Sequence, residues 1–477
     1  MTEVKHWQNF IAGEWVDGSE SIDVYDPATG EVFASMAAAD AADIDRAVQA
    51  ARACVASGEL TDCRPAVRAE MLHRIAAEIR ALAEEGAPLL VQESGKSLDD
   101  AMGEFTTAAR YFEYYAGMAD KIEGKSIPLG NDYVDFTYYE PMGVSAQIVP
   151  WNFPVDICAR SLAPALAAGN AVVVKTPENT PLAMLLLAKA CQNAGLPDGA
   201  LSIINGYGHS TGAQLVAHPG IDQIVFTGSV ATGQAILRCA ADRALPCVME
   251  LGGKSAAVVF NDADMDQLLS SVKWGIFFNA GQVCSAMSRM LVQRAIYDQV
   301  VAAVKDLSES LQMGAGMDNA DLTPLASADQ QNRVASIVNR AKEEGARLVT
   351  GGDVPQRAGY FFEATVFADV TPDMSIFRDE VFGPVLAITP FDTEEEAWEL
   401  ANGTEFGLVA GVFTHDLTRA MRASRKLQAG QVFVNEWYAG GIETPFGGIK
   451  LSGYGREKGQ EALYSYVHTK NVAIRVT

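Results

Sequence analysis

The chain is poor in cysteine. It has seven in 477 residues, an odd number, and none forms a C-x-x-C pair. A disulfide framework and a structural zinc site are therefore not expected. Positive charge is also scarce: 36 Lys and Arg face 60 Asp and Glu, for a formal net charge of -24. Phosphate backbones and anionic bilayers recruit clustered Lys and Arg, so neither nucleic acid nor a membrane is expected as a partner. No uninterrupted apolar run approaches the roughly 18 residues that span a bilayer. The opening "MTEVKHWQNFIAGEW" lacks a basic region followed by an apolar core, and a cytoplasmic location is expected. The histidines (His6, His73, His209, His218, His415 and His468) fall in no metal-ligand spacing, so no metal site is expected. Repeats and low-complexity tracts are missing too.

What remains is a composition suited to two or three folded domains, 49% hydrophobic and 20% charged. Over 64–85, Val67, Met71, Ile75, Ile79 and Leu82 recur at helical spacing, with Gly86 and Pro88 as stop signals. The runs "SAQIV" (145–149), "AVVVK" (171–175), "LSIIN" (201–205), "DQIVF" (222–226) and "AAVVF" (256–260) read as short buried strands. Helical segments alternate with them, such as 180–194, which opens on Thr180 and Pro181 and closes at Gly195. This alternation predicts an α/β fold with a parallel sheet covered by helices on both faces. A second α/β series, including "RLVTGG" and "PVLAITPF", runs from about Gly253 to Gly430.

Gly- and Pro-rich segments at the strand ends are the expected site loops, because ligands of open α/β sheets sit at the carboxyl ends of strands. In "FTGSVATG", Gly228 and Ser229 are placed to offer backbone N–H groups and a hydroxyl to a pyrophosphate, or simply to make a tight connection. In "KTPENTP", Lys175 ends a strand and Glu178 follows, either to accept from ribose hydroxyls or to sit in a solvated loop. "MELGGKS" sets Glu250 after an apolar run, where poor solvation raises a carboxyl towards general-base duty. "VPWNFP" braces Asn152 between aromatics and prolines, as an oxyanion donor or as a structural turn residue. Finally, "NAGQVCSAMSR" (279–289) puts Cys284 just after a flexible Gly-Gln pair. A buried cysteine is commonly an inert small hydrophobe, as is expected of Cys247.

Together and in this order, "PWNFP", "KTPENTP", "FTGSVATG", "ELGGKS", "GQVC", "EVFGPV", "PFGG" and "SGYGRE" resemble the aldehyde dehydrogenase superfamily over nearly the whole chain. The resemblance implies a Rossmann-type cofactor domain (1–121 and 141–252), an α/β catalytic domain (253–450) and a small β oligomerisation arm (122–140 and 451–477). It makes Cys284 the nucleophile, Asn152 the oxyanion donor and Glu250 the base that hydrolyses a thioester. Relatives that pass the acyl group to coenzyme A generally lack this glutamate. It assigns Lys175 and Glu178 to the adenine ribose, and Trp151 and Ser229 to the pyrophosphate. Leu251 and Gly252 join the cofactor set, with Glu380 on the nicotinamide ribose and Phe382 beside it. Glu178 would repel a 2′-phosphate, so NAD is expected over NADP.

The substrate is expected to be an aldehyde. Arg160 stands where succinic semialdehyde dehydrogenases carry a carboxylate-binding arginine. The alternative is a surface or interface arginine pairing with Asp156. Two further positions depart from the semialdehyde pattern, with Phe278 and Gly441 where an arginine and a serine are usual. Phe153, Phe278, Trp437 and Tyr438 suggest aromatic walls for an aromatic or medium-length apolar aldehyde. A thiol esterase and an inactive structural relative are the remote alternatives. The family's usual pairing of 122–140 with 465–474 implies a homodimer or homotetramer.

Overall fold

The computed structural model describes residues 4–476. An eight-stranded sheet runs in the order Gly453–Tyr454, Cys247–Glu250, Gln223–Thr227, Val144–Ile148, Ala171–Lys175, Leu201–Ile204, Asn9–Ile11, Glu14–Val16. Its central strands from Cys247–Glu250 to Leu201–Ile204 are parallel, and the flanking strands are antiparallel. These central strands are almost wholly buried, which explains why they read as continuous β-branched runs rather than as alternating patterns. In the register, Ile148 lies opposite both Lys175 and Phe226, and Thr227 lies opposite Glu250. The segments "PWNFP", "KTPENTP", "TGS" and "LGGKS" therefore leave the sheet at one edge. Strand order reverses between Val144–Ile148 and Gln223–Thr227, the kind of position where open α/β sheets bind ligands.

The second α/β series forms a seven-stranded sheet, parallel except for the edge strand Arg347–Thr350. Ala256–Val259 lies at its interior, between Arg289–Gln293 and Val409–Phe413. A third, small sheet pairs Tyr133–Pro141 with Val467–Arg475 antiparallel, and with Ser126–Ile127 on its other side. Gly453–Tyr454, which the expected boundary places with the arm, instead edges the first sheet beside Cys247–Glu250. No helix among the described residues is long and apolar enough to cross a membrane.

Two helices differ from the sequence expectation. The first runs Pro65–Ser94, through Gly86 and Pro88, and ends only at Gly95, where φ is +81°. Gly86 is a packing position: a Cβ there would lie 2.1 Å from Cζ of Phe105 on the helix Leu98–Met118. Pro88 deletes one helical hydrogen bond, a cost outweighed by burial of Ala87, Leu90 and Val91. The second begins at Leu185 rather than Thr180. The Thr180 hydroxyl donates to the Trp151 carbonyl (2.9 Å), and the N–H groups of Leu182 and Ala183 donate to the buried Glu93 carboxylate (2.7 and 3.0 Å). The loop that carries Glu178 is thus tied to the loop that carries Asn152. Cys247, expected in the core, begins its strand half-buried and packs against that core.

Candidate active site

Asn152 follows the strand Val144–Ile148 and precedes the helix Pro154–Ala168, with Pro154 at its first position. The residue is 5% exposed. Its Nδ2 donates to the Gln282 carbonyl (2.9 Å), while its own carbonyl accepts from Lys96 Nζ (2.8 Å) and Asn279 Nδ2 (3.2 Å). An amide nitrogen carries two hydrogens, so one fixes the side chain and the other remains for a ligand.

The Gly-Gln pair before Cys284, expected to be flexible, is braced by a left-handed backbone run and by hydrogen bonds. Asn279, Ala280 and Gly281 all have left-handed backbones, with φ of 47°, 52° and 72°. Such strain persists only where surroundings impose it. Gln282 is buried and bonded at both ends of its amide: Nε2 donates to the Asn279 carbonyl (3.0 Å) and Oε1 accepts from the Ala326 N–H (2.9 Å). On the far side, Trp437 Nε1 donates to the Ser285 carbonyl (3.0 Å). Burial, with the Glu250 charge close by, pushes the Cys284 thiol up to about 12.

Glu250 ends the strand Cys247–Glu250, is 2% exposed, and has no hydrogen-bond partner on Oε1. Burial, and then the Glu457 charge, hold its carboxyl well above the usual carboxylate range, with Arg160 opposing them. Glu457 belongs to the "SGYGRE" string, but its place beside Glu250 follows from the antiparallel pairing of Gly453–Tyr454 with Cys247–Glu250.

Two cavities meet at Cys284. The first is a cleft of about 250 Å³ at the switch point of the larger sheet, lined by Trp151, Asn152, Gly228, Ser229, Glu250, Leu251, Gly252, Glu380 and Phe382. Ser229 caps the helix Val230–Ala241, accepting from the Thr232 N–H (3.2 Å), so a helix N-terminus borders the cleft and favours an anion there. The Glu380 carboxylate accepts from the Gly253 N–H (3.0 Å), and a Cβ on Gly252 would lie 2.3 Å from it, so a larger residue there would displace the carboxylate. Phe382 meets Trp151 edge-on, with ring centroids 5.3 Å apart. Sequence reasoning missed Gln330 and Arg333, which line the cleft and bond the carbonyls of Phe382 (2.7 Å) and Glu380 (3.1 Å). Lys175 and Glu178 sit along the same sheet edge but outside this lining. They pair at 3.1 Å, and the Glu178 carboxylate accepts from the Gly208 N–H.

The second cavity, about 800 Å³, is lined by all of the expected substrate residues: Phe153, Arg160, Phe278, Trp437 and Tyr438. Phe153 and Phe278 stack with centroids 5.7 Å apart, and Trp274, 54% exposed, packs on Phe278 at 5.8 Å. Neither account of Arg160 offered by the sequence describes it fully. It is buried rather than on a surface, and its guanidinium pairs with the buried Glu457 rather than with Asp156. Two carboxylates in one dry pocket need such a cation, and spacing along the chain could not reveal it. Sequence reading also passed over Lys96 and Glu104, a buried ion pair beneath Asn152, and Lys458, which lines the cavity.

The sequence model of the "Aldehyde dehydrogenase family" matches residues 15–472. Human retinal dehydrogenase 2 is 41% identical over 484 residues, covering 99% of this chain and 93% of that protein. The NAD+ complex of aldehyde dehydrogenase from Bacillus cereus superposes with a TM-score of 0.98 at 39% identity, covering 99% of this chain and 97% of that one. An indole-3-acetaldehyde dehydrogenase in complex with NAD+ gives 0.97 at 36% identity, covering 100% and 98%. The chain belongs to the aldehyde dehydrogenase family.

Proposed function

We propose that the protein oxidises an aldehyde to the carboxylic acid with NAD, and that Cys284 carries the acyl group. The observation that supports this most is the place of one thiol: among the described residues, Cys284 and Ile157 alone line both the cleft and the larger cavity. The cleft suits NAD, with a helix N-terminus for the pyrophosphate and Glu380 for a ribose. Bound there, NAD supplies the hydride acceptor and a cationic ring. Cys284 Sγ attacks the aldehyde carbon from the cavity side, and the free N–H of Asn152 Nδ2, with the Cys284 backbone N–H, receives the oxyanion. After oxidation an acyl thioester remains on Cys284. Glu250, poorly solvated and lacking a partner on Oε1, takes a proton from water, which then releases the acid.

The stacked pair Phe153 and Phe278, with Trp437 and Tyr438, favours an aromatic or medium-length apolar aldehyde. The names of the retinal and indole-3-acetaldehyde relatives point to bulky apolar aldehydes as well. Because Arg160 also lines the cavity, a carboxylated semialdehyde is the second reading, but its guanidinium is already committed to Glu457. Glu178, held by Lys175 and the Gly208 N–H, favours NAD over NADP. A thiol esterase needs a histidine base, and among the described residues no histidine lines either cavity. The cysteines are free thiols, which fits a reducing, cytoplasmic setting. Assembly into a homodimer or homotetramer through the small sheet completes the reading. NADH formation across aliphatic, aromatic and carboxylated aldehydes, each with NAD and NADP, tests substrate and cofactor together. The expected result is a higher kcat/KM for the aromatic set with NAD. A preference for carboxylated aldehydes that Arg160→Ala selectively abolishes would overturn the substrate assignment, and equal use of NADP would overturn the role of Glu178.

A further inference from the structure

Beneath Asn152 lies a pair of charges that the mechanism above does not use. Lys96 stands in the turn between the helices Pro65–Ser94 and Leu98–Met118, and its side chain is fully buried. Its ammonium pairs with the carboxylate of Glu104, donates to the Asn152 carbonyl at 2.8 Å, and lies 4.2 Å from the centroid of the Phe153 ring. The other oxygen of Glu104 accepts from the Asp156 N–H at 3.0 Å. That N–H belongs to the first turn of the helix Pro154–Ala168, whose N-cap residue Phe153 makes no side-chain cap and whose first residue is proline. Glu104 thus caps this helix from a neighbouring one, and its charge meets the positive end of the helix dipole.

The pair therefore grips the short run 152–156 at two points. Lys96 holds the backbone just before the helix, and Glu104 holds the Asp156 N–H in its first turn. Stability alone is a poor reason to keep such a pair, since buried ions replaced by apolar residues of similar volume often leave a protein as stable or more so. Their contacts fall instead on Asn152, whose side chain must be placed to a fraction of an ångström, and on Phe153, which walls the substrate cavity.

We propose that Lys96 and Glu104 are positioning residues for the oxyanion site: the buried pair fixes the Asn152 carbonyl and the start of the following helix, and so aims Asn152 Nδ2 at the oxygen of the bound aldehyde. The inference rests on the reading of Asn152 as the oxyanion donor. It requires that Lys96 and Glu104 act through Asn152 and not through cofactor binding or general stability.

A double-mutant cycle on the full-length protein tests it by single-turnover NADH formation with a saturating aromatic aldehyde. The variants are Asn152→Ala, Lys96→Met, the charge-free double variant Lys96→Met with Glu104→Leu, and the last two each combined with Asn152→Ala. Removing the pair is expected to slow the burst on the order of 100-fold, as small misplacements of reacting groups do. NAD affinity, read by fluorescence titration, should stay within about twofold of the parent. In the Asn152→Ala background the same substitutions should have little further effect. An unchanged burst in the charge-free double variant would overturn the proposal, as would an equal loss with Asn152 already removed. A burst unaffected by Asn152→Ala alone would instead refute the oxyanion reading on which it rests.

Discussion

At the scale of single residues, burial works on Cys284 and Glu250 in the same direction, and both hold their protons more tightly than in water. For the thiol, burial and the nearby carboxylates favour the protonated form, and NAD bound in the cleft would supply a cationic ring that opposes them. For Glu250 the sign is simple. A carboxyl held above its ordinary range is protonated and idle at low pH, and becomes a base only as pH rises through that raised value. Thioester hydrolysis, followed by release of acid after the burst, should therefore increase with pH over a range displaced upward from that of a free carboxylate. Glu250→Gln should flatten that rise, and a hydrolysis rate independent of pH in the parent enzyme would remove Glu250 from the step. The strings that carry Cys284, Glu250 and Asn152 stand out in the sequence because each is short and of defined type, and the fold brings all three to the lining of one cleft. The pairing of Arg160 with Glu457 was not legible in the sequence, because their meeting depends on an edge strand, Gly453–Tyr454, only two residues long.

At the scale of elements, the sequence spoke clearly where burial is uniform and misled where one packing contact decides. The runs "AVVVK" and "QIVF" are buried throughout and lie in the strands Ala171–Lys175 and Gln223–Thr227. Gly86 was taken as a helix stop, since glycine destabilises a helix interior by roughly 0.5–1 kcal/mol relative to alanine. Its reason for being there is the Phe105 ring, which lies too close for any Cβ. Two effects therefore compete in Gly86→Ala: helix propensity stabilises, while overpacking costs about 1–3 kcal/mol. Overpacking wins at 2.1 Å, and the melting temperature should fall. A rise would mean that Phe105 can move aside and that propensity governs the site. The tight backbone at 279–281 was invisible for a related reason: left-handed asparagine and alanine leave no mark on hydropathy, and only their surroundings hold them.

At the scale of the whole molecule, the eight-stranded sheet supplies Asn152 from a loop and Glu250 from the end of a strand, and the stretch leading from Ala256–Val259 to Arg289–Gln293 supplies Cys284. The small sheet is a different matter. Val134, Phe136 and Ile474 are exposed on one face of it in the single chain, an apolar surface of the kind that oligomers cover. If assembly uses this sheet, Val134→Asp with Phe136→Asp should give a smaller species in sedimentation velocity at the same loading. An unchanged mass would place the subunit contact elsewhere. The pairing of 122–140 with 465–474, which the family resemblance implied, is present as Tyr133–Pro141 against Val467–Arg475.

The central claim, that Cys284 joins a cofactor cleft to an aldehyde cavity and carries the acyl group between them, has a direct chemical signature. Glu250→Gln enzyme would be mixed with NAD and an aromatic aldehyde, quenched in acid after the burst, digested, and mapped by mass spectrometry. The account predicts about one NADH per subunit and an acyl group on the peptide that contains Cys284. Continued NADH production with Cys284 unmodified would contradict it.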